Sequence, residues 1–304
     1  MSASTAQLLA VVGGVPTVSV DVPICAVFLA IFVLLAAGHM TLFQINKRRG
    51  HKFIFSGLCF GFTMSRITAC VFRLVWATRP GDSDISLVAS VFLNAGILLV
   101  YIMNNFFAWR MVRSAHPSFG WNPIVRKLNA ILLWGCIALI PLIVLIVLRV
   151  KEPRVAHIQR GATIMSRIAQ TYFLVVAVSS AFLLAYAMTR PGQPKDPFGR
   201  HSWNGKAVVL ALGITFACIQ SGFRTGTTWA QAPLASNPAW WDSKAAFYCF
   251  NFAMDVCILF TYLVGRIDQR LHVPNGSNGP MSYSKSATET SLHSESTEKK
   301  DIEY

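Results

Sequence analysis

The sequence predicts an all-α fold, that of a polytopic membrane protein whose seven transmembrane helices form one bundle. Three observations lead to this prediction. Hydrophobic residues make up 54% of the 304 residues, charged residues only 13%, and the mean hydropathy is +0.49. Seven apolar runs are long enough to cross a bilayer, and the basic residues gather in alternate connections between them. Such a composition is typical of a chain that is solvated mainly by lipid.

Each apolar run reaches or exceeds the roughly 20 residues that a helix needs to cross about 30 Å of hydrocarbon. The predicted spans are Ile24 to Ile45, Phe53 to Trp76, Ser86 to Trp109, Leu128 to Leu148, Ile164 to Met188, Ala207 to Trp229 and Ala245 to Val264. Most connections are too short to hold a soluble domain, so we expect residues 24–264 to form a single bundle. No Lys or Arg precedes the first run, which therefore lacks the basic region of a secretory signal peptide and is expected to remain as a helix.

The distribution of Lys and Arg predicts the orientation, because basic residues are retained on the cytoplasmic side of a membrane. The connections on one side carry seventeen of these residues and those on the other side carry six. Residues 1–23 are therefore predicted to be an extracellular or lumenal N-terminus, and residues 265–304 a cytosolic tail. The group after the fourth span, which is Arg149, Lys151, Arg154 and Arg160, is a local exception to this bias.

The tail loses its apolar periodicity from Pro274 onward and becomes rich in Ser, Thr, Glu, Asn and Gly. A segment of this composition buries too little apolar surface to fold, so we expect it to be disordered. Its serines are candidate phosphorylation sites, and a plain solvated tail is the equal alternative.

Ionisable residues within the predicted spans are the first candidates for function, because a charge at membrane depth needs a partner or a cavity. Arg66 and Arg73 lie seven residues apart on one face of the second span. Arg224 and Gln220 share a face of the sixth span. Arg66 is predicted near the midplane of the bilayer, Arg73 near the outer end of its span, and Arg224 about a turn and a half below the outer end of the sixth span.

The seventh span carries a polar stripe at spacings of three, four and seven residues, formed by Tyr248, Asn251, Asp255 and Tyr262. This spacing predicts a seam turned towards the bundle interior. Asp255 is the only acid in the predicted spans, so it needs a cation, and either Arg224 or Arg66 is long enough to reach it.

The arginines of the spans outnumber their one carboxylate, since Arg167 near the end of the fifth span joins Arg66, Arg73 and Arg224. One hypothesis is a basic cavity in the outer half of the bundle that receives an anionic ligand, such as a lipid head group or an amphipathic acid. Its binding residues would be Arg66, Arg73, Arg224, Asp255, Gln220, Tyr248 and Asn251. The alternative is that Arg73 and Arg167 extend to the outer interface and that Arg224 pairs with Asp255 for structure alone.

Several classes of protein are excluded or disfavoured. The last span has no Lys to carry retinal as a Schiff base. The spans hold one His and one Asp, too few for an intramembrane metal hydrolase, and no phosphate loop or paired carboxylates occur. We therefore expect no enzyme activity, no metal and no cofactor. Nucleic-acid binding is not expected either, because the basic residues that give the net charge of +14 lie between apolar segments.

Several segments together resemble an uncharacterised fungal family of seven-helix membrane proteins. They are Asn46 to Lys52, Arg66, Arg73, His116 to Trp121, Gly222 to Arg224, Tyr248 to Asn251, Arg266 to Asp268 and His272 to Ser277. More distantly, the Phe223-Arg224 segment and the acid-bearing seventh helix are similar to fungal lipid-translocating exporters of the aminocholesterol-resistance type. The seven-helix plan is also shared with fungal receptors of the pathogenicity type. The resemblance implies a fungal origin and a membrane location.

These observations lead to three functional hypotheses. The first is a receptor-like sensor that binds an anionic amphiphile in the outer half of the bundle. The second is a lipid or amphiphile transporter, and the third is a membrane scaffold without a ligand. Membrane lipids are expected partners, and the basic cytosolic loops suit either a G protein or anionic lipid. Both the plasma membrane and an endomembrane are compatible with the sequence.

Overall fold

A computed structural model of the chain describes residues 12–50, 53–149, 156–189, 194–230, 233 and 236–284. Within these ranges the regular structure is helical and contains no strands. The helices are α1 Val18–Arg48, α2 Ile54–Thr78, α3 Ser83–Ala115, α4 Pro117–Gly120, α5 Pro123–Arg149, α6 Ala156–Met188, α7 Trp203–Trp229, α8 Lys244–Val264 and α9 Ile267–Arg270. Helix α8 contains a π-helical stretch at Tyr248–Ala253.

Six of the described helices are long and apolar enough to cross a membrane, namely α1, α2, α3, α6, α7 and α8. They coincide with six of the seven predicted spans. Helix α5 has 27 residues and covers the remaining predicted span, from Leu128 to Leu148. The multi-pass character of the chain is therefore clear, whereas the count of seven spans depends on α5 and stays a prediction.

Helix α1 begins at Val18, six residues before the predicted first span. The backbone N–H of Thr17 donates to the Asp21 carboxylate at 2.8 Å, which satisfies one of the free donors at the helix start. A carboxylate is also favoured in the first turn by the helix dipole. The early start places Asp21 inside the helical bundle.

The long helices form a closed ring in which each packs on the next. Helix α1 packs on α2, α2 on α3, α3 on α6, α6 on α7, α7 on α8, and α8 on α1. Helix α5 lies outside this ring against α3 and α6. We name the two ends of the bundle the Asp21 end and the Asp268 end, after one buried acid at each.

The bundle is apolar both inside and outside. Phe62, Tyr101 and Phe107 are completely or almost completely buried in the core. Leu34 and Phe182 point outward with 73% and 72% of their surface exposed. Water-soluble proteins rarely expose many large apolar side chains together, so this outer surface is suited to lipid.

The C-terminal segment differs from the disorder predicted from Pro274, because residues 274–284 pack against the Asp268 end. Tyr283 is 1% exposed, and its backbone N–H donates to Asp196 at 3.2 Å. Ser284 donates to the same carboxylate from its backbone N–H and its hydroxyl, at 2.8 and 2.9 Å. The segment is ordered because the Tyr283 ring is buried and the Asp196 carboxylate accepts hydrogen bonds from Tyr283 and Ser284. Composition alone does not reveal these two contacts. Residues 285–304 lie outside the described ranges.

Candidate functional site

A fully buried ion pair lies in the middle of the bundle. Arg66 Nε is 2.6 Å from an Asp255 oxygen, and neither side chain is exposed to solvent. Nη1 of Arg66 also donates to the carbonyls of Phe92 and Leu93, at 3.2 and 2.7 Å. The partner of Asp255 is therefore Arg66, the second of the two arginines considered from the sequence.

Arg224 lies nearby but has only neutral hydrogen-bond partners. Its Nη1 donates to the Asn94 side chain at 2.8 Å, and its Nη2 donates to the Leu93 carbonyl at 3.1 Å. No ion pair among the described residues includes Arg224, and its Nε has no hydrogen-bond partner there. The alternative of a structural Arg224–Asp255 pair is thus not what the structure forms.

A second acid lies in the bundle at the Asp21 end. Asp21 is 0% exposed and accepts hydrogen bonds from Arg73 Nη2 at 2.8 Å, from Lys244 Nζ at 2.5 Å and from the Tyr248 hydroxyl at 2.7 Å. The sequence had indicated Asp255 as the only acid within the spans. The structure adds Asp21 as a second buried acid, because α1 begins before the first predicted span. Asp21 compensates Arg73, which the sequence had left without a partner.

The chain N-terminal to α1 covers this cluster. Arg73 Nη2 donates to the Gly13 carbonyl at 2.9 Å, and Arg73 stacks over the Phe247 ring at 4.1 Å. Gly13 has φ +79°, and a Cβ at this position would collide with Phe247. Glycine is therefore required where the segment crosses over the ring.

A cavity of about 230 Å³ lies between α2, α3, α6, α7 and α8, beside the Asp21 cluster. Two arginines line it, Arg73 and Arg224, both almost fully buried. Its other polar lining residues are Ser90, Asn94, Gln170, Thr227, Thr228 and Asn251, and its aromatic lining residues are Trp76, Phe223, Phe247 and Phe252. The wall is therefore cationic in part and apolar in part.

The structure divides the seven predicted binding residues into three groups. Arg73, Arg224 and Asn251 line the cavity. Arg66, Asp255 and Gln220 lie next to it in the bundle interior, each 0% exposed. Tyr248 belongs to the Asp21 cluster.

The polar stripe of α8 is confirmed as a buried seam. Tyr248 and Asn251 are 4% exposed, and Asp255 and Tyr262 are 0% exposed. The seam is tied to α7, because Gln220 Nε2 donates to the Asn251 carbonyl at 3.1 Å. It therefore connects the cavity wall to the Arg66–Asp255 pair.

Arg167 lies beside the cavity rather than in its wall. The residue is half-buried, its Nε donates to the Thr228 carbonyl at 3.3 Å, and its guanidinium lies 5.3 Å from the Trp229 ring. Arg167 therefore packs against the C-terminal end of α7, and its extension to the outer interface stays a prediction.

Sequence reasoning missed Asp21 and Lys244 because both precede the apolar runs that marked the spans. A signal for Asp21 was present, since Cys25 and Phe32 follow it at helical spacings of four and eleven residues and are both fully buried. An acid on the buried face of a helix is expected to point inward with them.

The described residues contain no group of three or more His, Cys, Asp or Glu side chains that could hold a metal ion. The site there presents guanidinium, carboxylate, amide, hydroxyl and aromatic groups. The guanidinium, amide and hydroxyl groups can bind an anion, and the aromatic rings can shield it from water.

Six apolar helices, buried charges and an apolar outer surface together define a multi-pass helical membrane protein. Residues 199–272 match a family described as "Protein of unknown function (DUF3112)". This segment contains α7, α8 and α9, and with them Arg224 and Asp255. No curated protein and no solved structure matches the chain.

Proposed function

We propose that the protein is a receptor-like sensor that binds an anionic amphiphile in the cavity between α2, α3, α6, α7 and α8, without converting it chemically. The observation that carries this proposal is Arg224. It is 8% exposed, lies in the cavity wall and has no carboxylate partner among the described residues.

The charges around the cavity support an anionic ligand. Asp255 offsets Arg66, and Asp21 offsets Arg73 with Lys244 still beside it. Arg224 remains, and a cation at membrane depth is costly unless a counter-charge or water reaches it. An anion in the cavity would supply that counter-charge and engage the free Arg224 Nε.

The walls and the volume favour an amphiphile of limited size. The aromatic rings of Phe223, Phe247 and Phe252 offer an apolar surface opposite the arginines. The volume of about 230 Å³ lies below the roughly 300–1,000 Å³ of sites for drug-sized ligands. A single acidic group with a short apolar part fits this space.

A closed floor favours a sensor over a transporter. Arg66, Asp255 and Gln220 lie beside the cavity without any exposed surface. Tyr101, Phe107 and Tyr262 are buried further towards the Asp268 end. A ligand in the cavity therefore meets a packed core in this conformation, which is the arrangement of a fixed binding site.

One observation favours the transporter as a second candidate. The π-helical stretch Tyr248–Ala253 interrupts α8 beside the cavity and contains Asn251. Helices with irregular turns at a binding site are common in proteins that move a substrate across the membrane. The third candidate, a scaffold, requires no ligand in the cavity.

The test measures the melting temperature of the purified full chain with a panel of anionic and neutral amphiphiles. We expect an anionic amphiphile at a hundredfold excess over its Kd to stabilise the protein by about 2.7 kcal/mol. Arg224→Gln should remove this effect. Arg167→Gln is the matched control, because it removes the same charge from a residue that does not itself line the cavity.

The outcomes distinguish the three candidate functions. If no amphiphile raises the melting temperature of the wild type, and Arg224→Gln lowers only the folded yield, the scaffold is supported. Stabilisation together with ligand redistribution across vesicle membranes would support the transporter. Stabilisation without redistribution would support the sensor.

A further inference from the structure

A second, larger opening lies at the Asp268 end of the bundle. It is a groove of about 680 Å³ between α2, α3, α5 and the C-terminal segment. It shares no lining residue with the cavity near the Asp21 end. The groove is therefore independent of the proposed sensor site.

Three arginines line one part of the groove, namely Arg110, Arg113 and Arg126. None of the described lining residues carries a carboxylate, and none of the ion pairs among described residues includes these arginines. The groove is therefore a concentrated positive region at one end of the bundle.

The two arginines of α3 are held in place by neutral groups. Arg110 Nη1 donates to the Leu271 carbonyl at 2.6 Å, and its guanidinium lies over the Phe55 ring. Arg113 donates to the Gly120 carbonyl at 3.3 Å and is hydrogen-bonded to Tyr283. Burial raises the pKa of Tyr283, so this partner is a neutral phenol. Neutral hydrogen-bond partners therefore orient both arginines, and no carboxylate among the described residues forms an ion pair with them.

The rest of the groove is mostly apolar, apart from Asn129, Ser277 and the Tyr283 hydroxyl, and it is open to the surroundings. Ile54 is 66% exposed, Phe106 43%, Trp134 69% and Ile137 41%. These side chains lie on α2, α3 and α5, whose outer faces are suited to lipid. The groove therefore joins a positively charged end to an apolar channel along the bundle surface.

We propose that this groove is a binding site for an anionic glycerophospholipid, with its phosphate at Arg110, Arg113 and Arg126 and an acyl chain along Phe106, Trp134 and Ile137. Basic pockets between transmembrane helices are suited to lipid head groups, because phosphate accepts bidentate hydrogen bonds from guanidinium. Arginine is the better residue for this task, since its planar fork matches the phosphate oxygens. The apolar side chains of the groove favour a lipid over a soluble phosphate, because a soluble phosphate has no acyl chain to lie along them.

The test uses the purified full chain in neutral detergent with phosphatidic acid, phosphatidylcholine or glycerol phosphate. Native mass spectrometry measures the bound lipid, and thermal melting measures stabilisation. We expect phosphatidic acid to bind and stabilise, whereas phosphatidylcholine and glycerol phosphate do neither at the same concentration. Arg126→Gln should weaken phosphatidic acid binding about fivefold, the effect of one basic residue at the membrane surface.

Two matched controls separate the groove from general surface attraction. Lys127→Gln removes the same charge from the neighbouring exposed residue, which does not line the groove, and should leave binding unchanged. Ile137→Ala should weaken binding, whereas Ile131→Ala, on an exposed residue outside the groove, should not. Arg224→Gln should also leave this binding unchanged, because Arg224 lies in the other cavity.

Equal losses in Arg126→Gln and Lys127→Gln would overturn the proposal, since any basic surface residue would then serve as well. Glycerol phosphate binding as tightly as phosphatidic acid would also overturn it, because the apolar channel would contribute nothing. A chain ending at Ser284 tests whether the residues beyond it fill the groove instead. If phosphatidic acid binds only that shortened chain, the occupant in the full chain is its own C-terminal tail.

Discussion

Two carboxylates are buried in the part of the long helices that the structure describes, and they are held in different ways. Asp255 has one cation, Arg66, in a completely buried environment. Asp21 has two cations and a tyrosine hydroxyl, and Lys244 keeps 26% of its side chain exposed. Removing one member of a buried pair strands the other charge, so the Asp255 pair is the more sensitive of the two.

We expect Asp255→Asn to destabilise the protein by roughly 3 to 5 kcal/mol, because it leaves Arg66 buried without a counter-charge. The double variant Asp255→Asn with Arg66→Met should recover part of this loss, since the stranded cation is gone. The measurement is the unfolding free energy or, where unfolding is irreversible, the melting temperature in detergent.

The control double variant combines Asp255→Asn with Arg224→Gln. It should recover less than the Arg66 double variant does, because Arg224 hydrogen-bonds to Asn94 and Leu93 and forms no ion pair with Asp255. Recovery by Arg224→Gln and not by Arg66→Met would contradict the pairing observed in the structure.

At the scale of the elements, α7 and α8 approach each other closely at Gly213. A Cβ at this position would collide with the Tyr262 ring and hydroxyl. The Tyr262 hydroxyl in turn donates to Asn104 of α3, whose amide donates to the Gly213 carbonyl at 3.5 Å. Three helices therefore meet at one glycine.

We expect Gly213→Ala to cost about 1 to 3 kcal/mol, because the added methyl group overpacks this contact. Gly222→Ala on the same helix is the control, since a Cβ there meets nothing within 4 Å. It should be neutral or stabilising by up to about 1 kcal/mol, the gain in helix propensity. Melting of both variants in the same detergent checks the difference, and equal losses would contradict the close approach.

Helix α9 is attached to α1 by Asp268. Burial raises the pKa of this carboxyl, but hydrogen bonds from Arg266 and Asn46 outweigh burial and lower it below the ordinary 3.8. The folded state thus binds this proton less readily than the unfolded state does. The resulting stabilisation is complete above the unfolded pKa and is lost as the pH falls through the lower folded value.

We expect Asp268→Asn to lower stability at pH 7 by about 1 to 3 kcal/mol, the cost of losing a buried charged hydrogen-bond acceptor. The difference from the wild type should shrink as the pH is lowered below about 4, because the carboxyl of the unfolded chain then takes up its proton while that of the folded chain still resists protonation. Melting temperatures of both proteins between pH 7 and pH 2.5 check this. A constant difference across that range would contradict the assigned pKa direction.

At the scale of the whole molecule, the orientation depends on whether α5 crosses the membrane. With α5 the spans number seven and the two ends of the chain lie on opposite sides. If only α1, α2, α3, α6, α7 and α8 cross, both ends lie on the same side. The basic residues of alternate connections favour the seven-span arrangement.

We expect a glycosylation acceptor added before Val12 to be modified in endoplasmic-reticulum microsomes, and the natural acceptor Asn275-Gly276-Ser277 to remain unmodified. Asn275 is exposed in the structure, so access does not limit the reaction. Gel mobility before and after glycosidase treatment is the measurement. Modification at both positions or at neither would contradict seven spans.

The sequence alone was sufficient for the membrane class, for six of the spans as helices and for the buried stripe of α8. These features depend on local composition and on the helical period, which a single segment carries by itself. Asn104 likewise lies buried in α3 and is hydrogen-bonded between helices, as a polar residue within a span is expected to be.

Only the tertiary structure decided which charges meet. Asp255 pairs with Arg66 rather than Arg224, Asp21 joins Arg73 and Lys244, and Tyr283 docks the segment that composition had marked as disordered. Each of these outcomes depends on the rotation and relative depth of helices that are far apart in the chain. Packing of the whole bundle sets those quantities, and the hydropathy of one segment contains no information about them.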